Sequence, residues 1–350
     1  MAYGNVNTLE VSGLSVTMAD VARAAGASIA TVGRVIHQNG YVSKEVRAKI
    51  EAVIAELGYV PNESARTLKS RRSGIIGCLV LQSDNSLYYR INDAVIDAAA
   101  HSGLSCITME AQSKARNEQQ IIQKFIGMRV DGLVIISNPF ITPDMFAALR
   151  QAETPVVAIE RGYAELGIDS LTVRDAEAVC NAAGGMLKAG HQRIGLIAAQ
   201  TKHAVEQRRL AGYEEALQMA GISPDPALIR LMPDYSVQNG RAAAEALFSL
   251  SKPPTAILCT ADSLAAGVLQ AAYARGLRVP EDLSLAGYDD VLSRALSPAL
   301  DSVGLVLDGI GDMALDMLQK RREHPEAPAD ERWIHTVYAK RGTVCALRKE

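Results

Sequence analysis

The sequence contains no long apolar run: nothing approaches the ~18 consecutive apolar residues of a membrane span. Its first sixteen residues are uncharged except for Glu10 and lack the basic stretch and apolar centre of an export signal, so residues 1–16 read as a flexible extension. Cysteine is sparse. Cys78, Cys106, Cys180, Cys259 and Cys345 show no CxxC or metal-ligand spacing, and three of the five sit in strand-like apolar runs, which predicts free core thiols in the cytoplasm. The six histidines form no HExxH pair, and no glycine-rich phosphate loop, nucleophile elbow or triad spacing is present. These absences argue against an enzyme, and no cofactor or metal is expected.

The informative stretch is Thr17 to Lys69. Thr17-Met18-Ala19-Asp20 has the form of a capping box, so a helix starts at Met18. Val21, Ala22 and Ala25 share one face of it, and Gly26 supplies a left-handed end. Ser28 caps a second helix with Val32, Val35 and Ile36 inward and Arg34 and His37 outside. Ser43 starts a third, on which Val46, Ile50, Val53, Ile54 and Leu57 follow the 3.6-residue period to Gly58. Two short helices joined by a glycine-containing turn make a helix-turn-helix, and the third completes a minimal core.

Charge sharpens this reading. Between Thr17 and Arg72 nine Lys and Arg stand against five Asp and Glu, a net of +4. The whole chain carries -3, so a basic head precedes an acidic body, and a polyanion is the natural partner of the head.

These residues carry a close resemblance: the chain resembles transcription regulators of the lactose-repressor (LacI/GalR) family over nearly everything after residue 16. The matching segments are Thr17-Met-Ala-Asp-Val-Ala, Ala30-Thr-Val-Gly-Arg-Val, Val42-Ser, Leu57-Gly-Tyr-Val-Pro-Asn and Ala65-Arg-Thr-Leu68. The resemblance implies that Ile29 and Ala30 open the recognition helix and meet bases in the major groove, with Arg34 one turn on. Chemically, Ile29 and Ala30 suit a thymine methyl and Arg34 suits two guanine acceptors. Ser28, Thr31 and Asn39 suit phosphates, and Thr17 belongs to the same expected DNA-binding set. Gly33 departs from the family, which usually has Ser there; the change removes a hydroxyl and lowers helix propensity by roughly 1 kcal/mol.

Residues 61–72 resemble the family's hinge helix and linker. The helix-like part, Glu63 to Lys69, has fewer than ten residues, below the roughly 12 to 15 an isolated helix needs in water, so ordering on DNA beside a partner hinge is expected. Asn62 and Ala65 belong to this segment. Leu68 matches the minor-groove wedge that unstacks a base step; the alternative is a linker leucine packed on the body.

From Ser73 the chain alternates strand-like and helical patterns, the signature of mostly parallel sheets with helices on both faces. Strands are expected at Ile75–Leu81, Ser105–Met109, Gly132–Ile136, Val156–Ile159, Ile194–Ala198, Thr255–Cys259 and Leu283–Ala286. About 275 residues exceed one comfortable core, so two subdomains are expected. The resemblance implies an α helix-turn-helix headpiece at 17–60 on an α/β body at 73–350. That body has the two-lobed, periplasmic-binding-protein-like (type I) fold, with lobe 1 at about 73–172 and 304–332 and lobe 2 at about 173–303 and 333–345.

Ligands in such sheets bind beyond the strand carboxyl ends, here between the lobes. Arg209 and Asp289 match the family's effector-binding arginine and its partner aspartate, a donor fork and an acceptor pair suited to hydroxyl or carboxylate groups; the alternative is a structural ion pair. Glu160 falls where relatives place an aspartate. Tyr235 and the Tyr88-Tyr89 pair fall where relatives place an aromatic against the ligand, and half-buried packing is the competing reading. Ala261 stands where the family more often has a ligand-bonding Asn. Arg161 and Arg174, beside the first crossover, suit either an acidic ligand such as a sugar acid or plain solvation.

Three functions compete. A periplasmic binding protein explains the body but not the basic head, and a nucleotide-dependent enzyme requires motifs that are missing. A ligand-responsive DNA-binding repressor of carbohydrate or sugar-acid genes explains head, hinge and body together. One short recognition helix reads too few base pairs, so a homodimer on a pseudo-palindromic operator is expected, with no membrane partner and a nucleoid location when bound.

Overall fold

The computed structural model describes residues 16–37, 39–60, 72–81, 86–111, 115–136, 141–163, 166–200 and 204–347. The chain divides into two compact units, 1–73 and 74–350. Asn62, Ala65 and Leu68 lie outside the described residues.

The first unit contains α1 (Met18–Ala25), α2 (Ile29–Ile36) and α3 (Lys44–Leu57). Each start has a side-chain cap. Thr17 and Asp20 form the reciprocal capping box, the Thr31 amide donates to Ser28 Oγ at 3.0 Å, and the Val46 amide donates to Ser43 Oγ at 3.4 Å. Gly26 and Gly58 end α1 and α3 with φ of 65° and 59°, a conformation glycine adopts without steric cost. Val21, Ala22, Ala25, Val32, Val35, Ile50 and Tyr59 form the core. Val46 is a correction: it is 37% exposed in the first turn of α3, whereas Ile50, one turn on, is fully buried.

The second unit holds two six-stranded sheets. In the first, β1 (Ile75–Leu81), β2 (Ser105–Ala111), β3 (Gly132–Ile136), β4 (Val156–Glu160), β5 (Asp169–Val173) and β11 (Glu331–Ile334) run in the order β11-β5-β4-β3-β1-β2, all parallel. In the second, β6 (Ile194–Ala199), β7 (Ile229–Met232), β8 (Ala256–Cys259), β9 (Ser284–Asp289), β10 (Asp301–Leu305) and β12 (Thr336–Ala339) run β12-β10-β9-β8-β6-β7, with only β12 antiparallel. The chain therefore leaves the first sheet after β5, returns after β10 and crosses again between β11 and β12.

Helices cover both faces of each sheet, which is why β1, β3, β6 and β8 are apolar along their whole length. On the first sheet, α4 (Leu87–His101) and α11 (Ile310–Glu323) bury Ile91, Val95, Met317 and Leu318 on one face. On the other, α5 (Ala115–Met128) and α6 (Pro143–Gln151) bury Ile122, Phe125, Phe146 and Leu149. On the second sheet, α9 (Val237–Phe248) and α10 (Asp262–Ala274) pack opposite α7 (Asp175–Lys188) and α8 (Ala204–Met219). The strands β5, β7, β10, β11 and β12 are not foreseen by the apolar pattern. β5 and β10 open on the polar pairs Asp169-Ser170 and Asp301-Ser302, and β7 and β12 are edge strands that are only partly buried.

Candidate functional site

The headpiece presents its chemistry from one helix. With Val32 and Val35 turned into the core, Ile29, Ala30 and Arg34 are left on the outer surface of α2, and Ile29 is 54% exposed. Ala30 and Arg34, four residues apart, are neighbours on that surface. The Arg34 stem lies over the turn at Gly40: a Cβ there would come within 3.4 Å of Arg34 Cδ, and φ is 76°. Ser28 and Thr31 hydroxyls pair at 2.8 Å at the positive end of α2, and Asn39 is exposed just beyond its other end. At Gly33 an added Cβ would meet only Met18 Sδ at 4.0 Å, so packing does not demand the glycine.

The body site is built by close helix contact. A Cβ at Gly212 would stand 2.1 Å from the Ala176 carbonyl oxygen, so glycine is what lets α8 touch the start of α7. One turn before Gly212 stands Arg209, and beside Ala176 stands Asp175. The contact brings them together. Arg209, 4% exposed, donates from Nε to Asp175 Oδ1 at 3.0 Å and from Nη1 to Glu206 Oε1 at 3.1 Å and the Thr260 carbonyl at 2.9 Å. Its Nη2 is 3.8 Å from Asp289 Oδ1, and its guanidinium carbon lies 4.0 Å from the centre of the Tyr288 ring. Asp175 is held in turn by Arg208 at 3.0 Å and the Tyr288 hydroxyl at 3.1 Å, and the Tyr235 hydroxyl donates to Glu206 Oε1 at 2.8 Å.

Electrostatics follow from burial. Desolvation opposes the Arg209 charge, yet Asp175, Tyr288, Glu206 and Asp289 outweigh it and hold its pKa well above the ordinary arginine value. Burial first, then adjacent carboxylates, pushes the Tyr288 and Tyr235 phenols well above the ordinary tyrosine value, so both act as donors.

Glu160 and Asp289 end β4 and β9 with φ of 74° and 89°, left-handed values that cost a non-glycine residue on the order of 1–3 kcal/mol. Both carboxylates are buried. The loop after Asp289 is pinned by Asp262, which accepts the amides of Val291, Leu292 and Ser293 at 2.7 to 3.1 Å and the Ser302 hydroxyl at 2.7 Å. Burial raises the Asp262 pKa despite those bonds. Ala261 caps α10 with no side-chain bond and is itself buried.

Of the residues singled out from the sequence, the structure brings Arg209, Asp289 and Tyr235 into one cluster. Tyr88, in α4 on the first sheet, is buried, whereas Tyr89 is half-buried. Arg161 and Arg174 are engaged elsewhere: Arg161 stacks over Tyr163 at 5.1 Å, and Arg174 stacks over Trp333 at 4.8 Å with Glu177 at 3.5 Å. Asp175, Glu206, Thr260 and Tyr288 were missed. Only Glu206 had a local signal, its i,i+3 spacing from Arg209.

Residues 17–62 match the family model described as bacterial regulatory proteins, lacI family, and residues 183–344 match the periplasmic binding protein-like domain. The Ribose operon repressor of Haemophilus influenzae (strain ATCC 51907 / DSM 11121 / KW20 / Rd) is 33% identical over 311 residues, covering 88% of this chain and 92% of that protein. This chain belongs to the lacI family of bacterial regulatory proteins. The HTH-type transcriptional repressor PurR of Escherichia coli O1:K1 / APEC is 31% identical over 317 residues, 89% of this chain and 93% of its own. The crystal structure of the lac repressor dimer bound to operator and the anti-inducer ONPF superposes with a TM-score of 0.83 at 27% identity, covering 95% of this chain and 100% of that one. As a lacI-family member the chain is a ligand-responsive DNA-binding transcriptional repressor, and the relatives it matches are repressors rather than enzymes. Among the described residues, no helix is long and apolar enough to cross a membrane.

Proposed function

We propose that this repressor binds a pseudo-palindromic operator as a cytoplasmic homodimer, and that a small carbohydrate in the inter-lobe cleft changes its operator affinity. The observation that carries the cleft assignment is the buried Arg209 cluster. It gathers a guanidinium, two phenols and three carboxylates at the carboxyl ends of parallel strands, where ligands of such sheets bind. The carbohydrate follows from the ribose operon repressor among its relatives. The engagement of Arg161 and Arg174 with aromatic rings speaks for the neutral sugar over the sugar acid.

In this reading residues 17–60 read DNA, 61–72 form the hinge, and 73–350 form the effector and dimerisation body with lobe limits near 172, 303 and 333. Ile29, Ala30 and Arg34 contact bases. Thr17, Ser28, Thr31 and Asn39 contact phosphates, and Asn62, Ala65 and Leu68 serve the hinge. Arg209, Asp289, Tyr235, Tyr88, Tyr89 and Glu160 line the effector site. Ligand and operator are then linked, because the ligand favours one lobe orientation and lobe orientation sets hinge spacing.

The test is duplex binding against salt, using an operator selected from a random pool. A dimer contacting about 6 to 10 phosphates gives a log-log slope of about -5 to -9. Failure to bind any duplex at low salt, with or without sugars, overturns the reading.

A further inference from the structure

Within the Arg209 cluster, just as Arg208 leaves its Nε over and Thr260 its hydroxyl, Glu206 leaves a buried carboxylate oxygen. Its side chain is buried, 5% exposed. Oε1 accepts from both Arg209 and Tyr235, while Oε2 is buried with no hydrogen-bond partner. Leaving a buried carboxylate oxygen without a donor is unfavourable, so it is a place where a ligand is rewarded for bringing one. Its surroundings put it at the cleft. Glu206 lies in the first turn of α8, the helix that follows β6, and Tyr235 bonds it directly. The local charge also has a sign: Arg208 and Arg209 face Asp175, Glu206 and Asp289, two guanidinium groups against three carboxylates. The charge of Arg209 is thus already matched by carboxylates, which leaves no net positive charge for an anion.

We propose that Glu206 is a specificity-determining residue of the effector site, whose Oε2 accepts a hydrogen bond from a hydroxyl or ammonium group of a neutral or amine-bearing polyol and rejects ligands that present a carboxylate there. This rests on the cleft reading above. It requires donors only, because an ionised carboxylate has no hydrogen to give, and a ligand acceptor placed against it would meet a like charge in a low-dielectric site. Glu206→Gln is close to a single-atom test. The Gln oxygen keeps accepting from Arg209 and Tyr235, and the Gln amide turns the remaining acceptor into a donor.

The experiment is calorimetric titration of the full chain and of E206Q with D-ribose, D-glucose, D-glucosamine and D-gluconate, alongside E206A and D289N. We expect the wild type to bind a neutral or amino member at least 100-fold more tightly than gluconate. E206Q should weaken that ligand at least 10-fold and narrow its margin over gluconate, and E206A should weaken it without improving gluconate. The neutral and amino arms distinguish a hydroxyl from an ammonium donor. Gluconate binding the wild type as tightly as the others, or no neutral or amino member binding at all, overturns the proposal. If D289N loses binding while E206Q and E206A stay within twofold of wild type, the cleft reading stands and the role of Glu206 falls. If none of the variants changes affinity, the cleft reading itself falls.

Discussion

The headpiece and the cleft solve recognition in opposite ways. The headpiece keeps its core and its proposed reading surface on one short stretch of chain, with Val32 and Val35 inward and Ile29, Ala30 and Arg34 outward on the same eight-residue helix. The proposed cleft site assembles residues far apart in sequence, from Asp175 to Asp289, and buries them against one another. Removing an exposed reading residue should therefore cost affinity and leave stability alone. Removing a cleft residue should cost both, because its partners are left charged and unsolvated.

The strongest attempt to break this contrast is Arg209→Ala. It strands Asp175 and Glu206 in the interior, and losing one partner of a buried ion pair costs about 3–5 kcal/mol. Denaturant unfolding of the body should show a loss of that size, together with a lost sugar response. A variant as stable as wild type would mean that the cluster relaxes to water. Next in size is Arg34→Ala, for which operator affinity should fall by about 1–3 kcal/mol with the unfolding midpoint unchanged. Equal losses on operator and on unrelated duplex would place Arg34 on phosphates and not on bases.

Two smaller effects sharpen the contrast within the headpiece. Thr17→Ala removes the capping box of α1 and should cost about 1 kcal/mol of headpiece stability. Gly33→Ala has the opposite sign: nothing lies within 4.0 Å of the new methyl except Met18 Sδ, so the headpiece should gain roughly 1 kcal/mol. Both changes should appear in amide exchange of residues 18–57 and be absent from the body.

The smallest effect belongs to the body and is set by pH. His191 bonds Thr255 Oγ1 at 2.9 Å and the Cys345 carbonyl at 3.0 Å, and burial lowers its pKa below the ordinary 6.5. The unfolded chain then binds this proton more readily than the folded one. Stability is complete above about pH 6.5 and is lost as pH falls through that value toward the lower folded pKa. Replacing His191 with Gln should flatten this part of the thermal stability profile between pH 7.5 and 5.5, and an unaltered slope would assign it to other groups.

How much of this was legible beforehand follows the same division. The headpiece could be read closely because caps, glycine ends and the 3.6-residue period are local signals, and Thr17, Ser28, Ser43, Gly26 and Gly58 all act where they stand. Only Val46 misled, since a periodic position at a helix start need not reach the core. In the body, apolar strands such as β1 and β3 were plain, whereas β5 and β10 begin with buried polar residues that satisfy one another only in three dimensions. Asp301 accepts the amides of Arg341, Gly342 and Thr343 from a segment forty residues away. The cleft was half legible. Arg209 and Asp289 stand in recognisable local motifs, but Asp175 joins them only because Gly212 brings two helices into contact. The left-handed backbone at Glu160 and Asp289 leaves no mark on the residue types at all.

The central claim, that the cleft and the headpiece form one switch, is tested most directly by operator affinity measured with and without a cleft-binding sugar in wild type and Asp289→Asn. Asparagine tolerates the left-handed backbone at this position, so the variant removes the charge while keeping the turn. The account predicts that sugar shifts operator affinity in the wild type by about 1–3 kcal/mol, roughly 5- to 150-fold, and that the shift disappears in the variant while operator binding without sugar persists. An equal shift in both proteins would contradict it.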